Sequence, residues 1–356
     1  MEQRRSQSWW RAPLWTLALA TGAKSFVDNP VLGSRRLNEL GLHARRLKLA
    51  HGLAARRRRA LAAAVPAHWR ERFDHDGFVR IDEVVPPADF AALQQRLATT
   101  RLPMRAHLQG DTVTARVPLD DGSLRQLPEI AALLRRRDLR ALFAYVATTR
   151  TPPLHYLQTI LGGAVAASQA DPQIELHADC FHPSLKAWLF LADVPDDGRP
   201  LTYVAGSHRL TPERLAWEGH RSQTVLDDGD RLSQRGSLRV RPDELPALGL
   251  PAPTRLAVPA NTLVVADMFG FHARADSDRP TTRVELWSYS RRPPFLSDLA
   301  ERALGLGPLG SRRAGLAMRA ADWLDARHLR RQHWHPIGDQ LPAAPDLGGR
   351  DPLSLL

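Results

Sequence analysis

Between Leu154 and Ser290 the chain breaks into short apolar and β-branched runs separated by turn-forming residues. The runs fall at 154–161, 172–179, 187–192, 201–204, 255–258, 261–267 and 284–290. Asp196-Asp197-Gly198 and Asp227-Asp228-Gly229 are two of the turn signals between them. Strands this short bury an apolar face only by pairing, so the pattern predicts an all-β sandwich or barrel. With 356 residues the chain is long enough to bury a sizeable core and to carry helical additions to such a domain.

One run, Ile174-Glu175-Leu176-His177-Ala178-Asp179, carries chemistry. On a strand, residues two apart share a face, so His177 and Asp179 present an imidazole and a carboxylate together. That is half a metal site. A further histidine completes a two-His-one-carboxylate facial triad, which holds Fe(II) and leaves positions open for chemistry. His-x-Asp alone occurs by chance. His272, a short loop after the run 261–267, is the candidate third ligand, and Arg283 heads the last run.

The flanks read as follows. Phe73 to Ile81 is a helix end, a turn at Asp76-Gly77 and a strand. Residues 88–98 form an amphipathic helix with Phe90, Leu93 and Leu97 on one stripe. A hairpin region spans 105–125 and turns at Asp120-Asp121-Gly122, and one helix covers 128–148. Residues 296–328 return to helical patterning, with a loose end past His335.

This ordered set resembles the phytanoyl-CoA dioxygenase family of Fe(II)- and 2-oxoglutarate-dependent oxygenases. The matching pieces are Gly77-Phe78-Val79, His177 with Asp179, Gly206-Ser207-His208, His272, and Arg283 eleven residues after it, across roughly 70–292. Ala205 stands where the family usually has proline, and Asn261 where a glycine is common. Both are turn positions, away from the ligands. The resemblance implies a mainly-β double-stranded β-helix, a cupin-like jelly roll, with flanking α-helices. It implies that His177, Asp179 and His272 bind Fe(II) and that 2-oxoglutarate chelates the metal. Arg283 then pairs with the distal carboxylate of 2-oxoglutarate, as a guanidinium does well. O2 takes the last position, and oxidative decarboxylation to succinate drives hydroxylation of a substrate carbon. In related halogenases a non-liganding residue replaces the carboxylate; Asp179 is present, which favours hydroxylation.

Secondary candidates surround this set. Gln158 and Thr159 are placed to bond 2-oxoglutarate, and His182 to sit at the rim or pack in the barrel. Lys186, Trp188 and Phe190 alternate on one strand face, with Lys186 either a carboxylate partner or a solvated charge near the strand end. His208 reads as a turn residue or one behind the ligands, and His333 and His335 read as structural.

The formal net charge of +11 suggests nucleic acid, an anionic membrane surface or an acidic substrate. No recognisable nucleic-acid motif is present, so nucleic acid is the least favoured. Cys180 is the only cysteine, which excludes an intramolecular disulfide and a cysteine-based zinc site. Residues 1–11 are polar and basic, with Trp9 and Trp10, and 12–23 are an apolar run. A spanning helix needs about 20 apolar residues. A signal peptide and an interfacial anchor both fit this start. The arginine-rich helical stretch 24–64 supports the anchor; its rival is a helix packed on the domain with the charges outward.

The expected organisation is an N-terminal basic segment at 1–65, an oxygenase jelly roll at 66–295 and a helical extension at 296–356. The expected activity is hydroxylation of a small-molecule or lipid substrate, such as an envelope glycolipid. The location is cytoplasmic, on the inner face of a membrane, where reduced iron and 2-oxoglutarate are available. The competing expectation is a catalytically silent jelly roll that binds membranes.

Overall fold

Among the described residues of this computed structural model, which are 12–165, 171–303 and 312–345, eleven strands form. They are β1 (Phe78–Ile81), β2 (Leu102–Gln109), β3 (Thr112–Pro118), β4 (Leu154–Gly162), β5 (Leu185–Phe190) and β6 (Leu201–Tyr203). β7 (Thr254–Leu256), β8 (Thr262–Asp267), β9 (His272–Arg274), β10 (Thr281–Ser290) and β11 (His335–Gln340) complete them. Eight strands pair in the order β1-β8-β5-β10-β4-β3-β2-β11, each neighbour antiparallel. The other three form the sheet β7-β6-β9. The expected jelly-roll architecture with flanking helices is present.

Alternation along the strands decides what each face meets. In β5, Leu185, Ala187 and Leu189 join the helix-covered core, with Leu93 and Leu97 of the helix Pro87–Thr99 and Leu142 and Phe143 of the helix Arg137–Ala147. Trp188 and Phe190, on the other face, pack with Leu201, Tyr203 and Leu256 of the small sheet. The same parity in β10 sends Val284 and Leu286 to the helices and Arg283, Trp287 and Tyr289 into a cavity between the sheets. One face of the main sheet is therefore structural and the other holds the site.

Four local expectations are corrected. Residues 172–179 are not a strand: only His177 makes bridges, to Arg239 and His272. The backbone partners there come from separate segments, Leu238 for Ala178 and Met268 for Asp179, so no continuous ladder forms. The β2–β3 hairpin turns at Gly110 (φ 58°), not at 120–122. Asp120 instead caps the helix Asp121–Gln126, accepting from the Gly122 and Ser123 amides. The helix expected at 128–148 is two helices, Pro128–Arg135 and Arg137–Ala147, because Arg136 is extended and its guanidinium donates to the Val84 carbonyl. The extension expected to be helical also supplies a strand, since β11 adds to β2 at the edge of the main sheet.

Residues 12–64 are built into the body of the molecule. The helix Leu42–Leu61 buries His43, Arg46, Leu47, Ala50, Ala54 and Leu61. Arg46 donates to the carbonyls of Leu19, Thr21 and Ala23, and Arg58 reaches the Tyr145 and Val146 carbonyls and the Asp267 carboxylate. Part of the basic run thus satisfies internal carbonyls that would otherwise be costly to bury. Arg45, Lys48, Arg56 and Arg59 form the outward stripe with Leu49. Trp9 and Trp10 lie outside the described residues. No described helix is long and apolar enough to cross a membrane.

Candidate metal centre

His272 opens β9, and what holds it there begins with Asp267 at the end of β8. The fully buried Asp267 carboxylate accepts from the Ser184 and Phe269 amides and from Arg58. Its carbonyl accepts from the Tyr203 hydroxyl at 2.8 Å. A side chain at Gly270 would meet that hydroxyl at 1.8 Å, so the loop to His272 admits only glycine there. The Gly206-Ser207-His208 turn braces the same loop: Ser207 Oγ accepts from the Phe271 amide and donates to the Val204 carbonyl. His208 is buried against Phe73.

Beneath the loop runs a buried ionic network. The Arg214 guanidinium lies 4.2 Å and 3.7 Å from the Phe269 and Phe271 ring centroids. It donates to the Ser207 and Phe269 carbonyls and pairs with Glu218 at 3.0 Å. Glu218 in turn meets His43 of the N-terminal helix at 3.0 Å.

His177, Asp179 and His272 come together as the sequence predicts: one ligand atom from each lies within 4.8 Å of the others. His177 Nδ1 is 2.7 Å from the Glu175 carbonyl and His272 Nδ1 is 2.9 Å from the Gly270 carbonyl. A carbonyl only accepts, so each Nδ1 carries the hydrogen and each Nε2 presents a lone pair. Those Nε2 atoms stand 3.5 Å and 3.6 Å from Asp179 Oδ1. His272 Nε2 is buried without a hydrogen-bond partner. Three acceptors facing one another need a cation among them. Burial, then the neighbouring His272, push the His177 imidazole down to about 4, so a proton does not fill that role at neutral pH. Burial alone would raise the Asp179 carboxyl; Lys186 at 2.7 Å and the two imidazoles outweigh it and hold Asp179 well below its ordinary range. The donor set fits a divalent metal such as Fe(II).

The cavity beside this triad has a volume of about 390 Å³ and is lined by Asp179, His272 and Arg283 among others. Arg283 Nη1 donates to the Arg199 carbonyl at 2.7 Å, and its Nε lies 2.7 Å from the buried Glu285 carboxylate. Gln158 also lines the cavity, where it accepts from Arg116 and donates to Glu285. Thr159 has the opposite parity and bonds the Pro342 carbonyl, so it is not a co-substrate contact. His182 is buried with its Nδ1 on the Pro183 carbonyl and does not line the cavity. Lys186 turns inward to the Asp179 carboxylate. Trp188 and Phe190 line the cavity as their alternation implies.

Several lining residues had no sequence signal. Trp334 arrives with the C-terminal strand and Lys24 with the N-terminal segment, each far from the triad in the chain. Glu285, buried behind Arg283 and not part of the lining, was legible in part, since it shares Arg283's strand parity.

A scan against protein-family models and a search of curated protein sequences each find no match. Among solved structures, the epimerase SnoN in complex with Fe3+, alpha ketoglutarate and nogalamycin RO is similar at 20% identity and TM-score 0.39, over 64% of this chain and 86% of that one. The alpha ketoglutarate dependent carbocyclase SnoK from nogalamycin biosynthesis aligns at 16% identity and TM-score 0.39, over 64% and 84%. HygX from Streptomyces hygroscopicus with nickel and 2-oxoglutarate bound gives 18% identity and TM-score 0.38, over 64% and 88%. At TM-scores below 0.5 these likenesses carry no weight for function, which rests on the site itself.

Proposed function

We propose that the protein is an Fe(II)- and 2-oxoglutarate-dependent dioxygenase that hydroxylates an unactivated carbon, resembling the phytanoyl-CoA dioxygenase family. The observation that carries this is the convergence of His177 Nε2, His272 Nε2 and an ionised Asp179 beside a cavity that also holds Arg283. Iron(II) with 2-oxoglutarate and O2 supplies an oxidant able to take hydrogen from such a carbon, with the co-substrate decarboxylated to succinate. The chain's own residues do the positioning. The Glu175 and Gly270 carbonyls fix the imidazole tautomers, and Lys186 holds the second oxygen of Asp179. Arg283 takes the distal carboxylate of 2-oxoglutarate, with Glu285 fixing the guanidinium from its Nε side.

Arg283→Ala tests this assignment. A charge-assisted hydrogen bond contributes roughly 1.5–3 kcal/mol, so the 2-oxoglutarate concentration for half-maximal succinate release rises about 10- to 100-fold. Iron affinity stays near the parent value. A variant with the parent's co-substrate dependence removes Arg283 from this role. Absence of iron binding in the parent protein favours the silent jelly roll instead.

We further propose that the protein works at the cytoplasmic face of an anionic membrane and takes its substrate there, a lipid or glycolipid. The exposed Leu14 and Leu17 of the helix Ala12–Ala18, the exposed Leu40, and Leu49 within the outward basic stripe support this. Deleting residues 1–64 is a poor test, because Lys24 and Arg58 belong to the cavity and to the Asp267 brace. Replacing Leu14 and Leu17 by serine should instead weaken sedimentation with phosphatidylglycerol vesicles while leaving neutral vesicles unaffected. A parent protein that ignores phosphatidylglycerol vesicles sinks the membrane reading.

A further inference from the structure

The cavity carries more positive charge than iron and co-substrate use. Lys24, Arg116, Lys186, Arg274, Arg283 and Arg291 line it, and Asp179 is the one acid among the lining residues described. Three of the cations have carboxylate partners: Lys186 with Asp179, Arg274 with Asp171, Arg283 with Glu285. On the reading above, an Fe(II) ion and a 2-oxoglutarate dianion bring charges that cancel. Among the described residues, Lys24, Arg116 and Arg291 are then left without a carboxylate ion pair. Lys24 donates to the Asp179 carbonyl.

Arg116 is the most constrained of the three. Its guanidinium lies over two indoles, 4.3 Å from the Trp287 centroid and 4.4 Å from that of Trp334. Trp287 stacks on Tyr289 at 5.5 Å with an interplanar angle of 11°. The Arg116 Nε donates to Gln158, a neutral amide, at 2.6 Å. With two indole rings against the guanidinium and Nε engaged, the two Nη groups are what remains for a ligand. That fork fits two oxygens of one carboxylate, sulfate or phosphate group. The flanking rings give the same ligand an apolar, flat surface to lie on.

We propose that the substrate is an organic anion whose acidic group is held by the Nη edge of Arg116, with its carbon body along Trp287 and Tyr289 towards the metal. Lys24 and Arg291 set a positive field at the Asp179 end of the cavity that favours the same charge. This names a substrate class for the proposed oxygenase and rests on that reading for the chemistry, though not for the binding.

The test uses naphthalene-2-sulfonate as probe and 2-methylnaphthalene as its uncharged control, followed by fluorescence. Binding is measured on the full chain without oxygen, loaded with iron and saturated with 2-oxoglutarate, and again with neither. The sulfonate should bind in both states and the hydrocarbon at least tenfold more weakly. Arg116→Gln should weaken the sulfonate at least tenfold and Arg116→Lys less, with the half-saturating 2-oxoglutarate concentration unchanged. Arg291→Gln, at the exposed end, should weaken it about threefold and guards against misfolding of the Arg116 variants. The proposal is overturned if the probe fails to bind, if the hydrocarbon binds equally, if 2-oxoglutarate displaces the probe, or if neither Arg116→Lys nor Arg291→Gln changes its affinity. Sulfonate binding without any succinate release would leave this site standing and defeat the oxygenase reading alone.

Discussion

His272→Ala yields a folded protein that no longer retains iron. The proposed site has three protein ligands, and loss of one removes a third of the donor set. The effect should exceed the roughly 10- to 100-fold loss in metal affinity typical of removing a partner behind a ligand. Succinate release from 2-oxoglutarate should fall to background. Lys186→Met is the informative contrast. It keeps all three ligands and removes only the ammonium beside Asp179 Oδ2, so iron affinity should fall within that smaller range. Equilibrium dialysis of Fe(II) against the parent and both variants ranks them. Equal iron affinity in His272→Ala and the parent would place the metal elsewhere.

Glu218→Ala should destabilise the fold by roughly 3–5 kcal/mol, the usual cost of stranding one member of a buried ion pair. Arg214 and Glu218 each have side chains 2% exposed, and Arg214 is enclosed by Phe269, Phe271 and Trp217. Removing the carboxylate also frees His43, which ties the helix Leu42–Leu61 to the helix Pro212–Thr224. Arg214 holds the Phe269 carbonyl three residues before His272, so iron affinity should weaken along with stability. Urea unfolding followed by circular dichroism reads the first effect. A loss under about 1 kcal/mol would mean the network relaxes around the vacancy and does not brace the loop.

The architecture was legible in the sequence because it depends on periodicity, whereas His177, Asp179 and His272 were legible as an ordered set of residue types and not through strand alternation. Trp188 and Phe190 alternate with Leu189, and Arg283 shares parity with Trp287 and Tyr289, so the cavity face of each strand can be read directly. Asn261 was legible as a turn residue: it takes φ 65°, a left-handed conformation that asparagine tolerates, and its side chain bonds both polar groups of the Val85 backbone. The segment 172–179 was misread because its apolar pattern suits a strand while its backbone partners lie on separate segments. Arg46, Arg57 and Arg58 look like surface charge in sequence, yet each donates to backbone carbonyls of distant segments. Local pattern carries no trace of partners that far away. The same holds for Trp334, which closes on Arg116 only after β11 joins β2.

An iron centre at His177, Asp179 and His272 that binds 2-oxoglutarate can be followed anaerobically: Fe(II) and then 2-oxoglutarate are added to the metal-free protein and the visible spectrum is recorded. Bidentate binding of the co-substrate to protein-held iron predicts a new charge-transfer band that saturates at one equivalent of metal and is absent in Asp179→Ala. A protein that binds no iron, or one that binds iron and shows no band with saturating 2-oxoglutarate, would contradict the account.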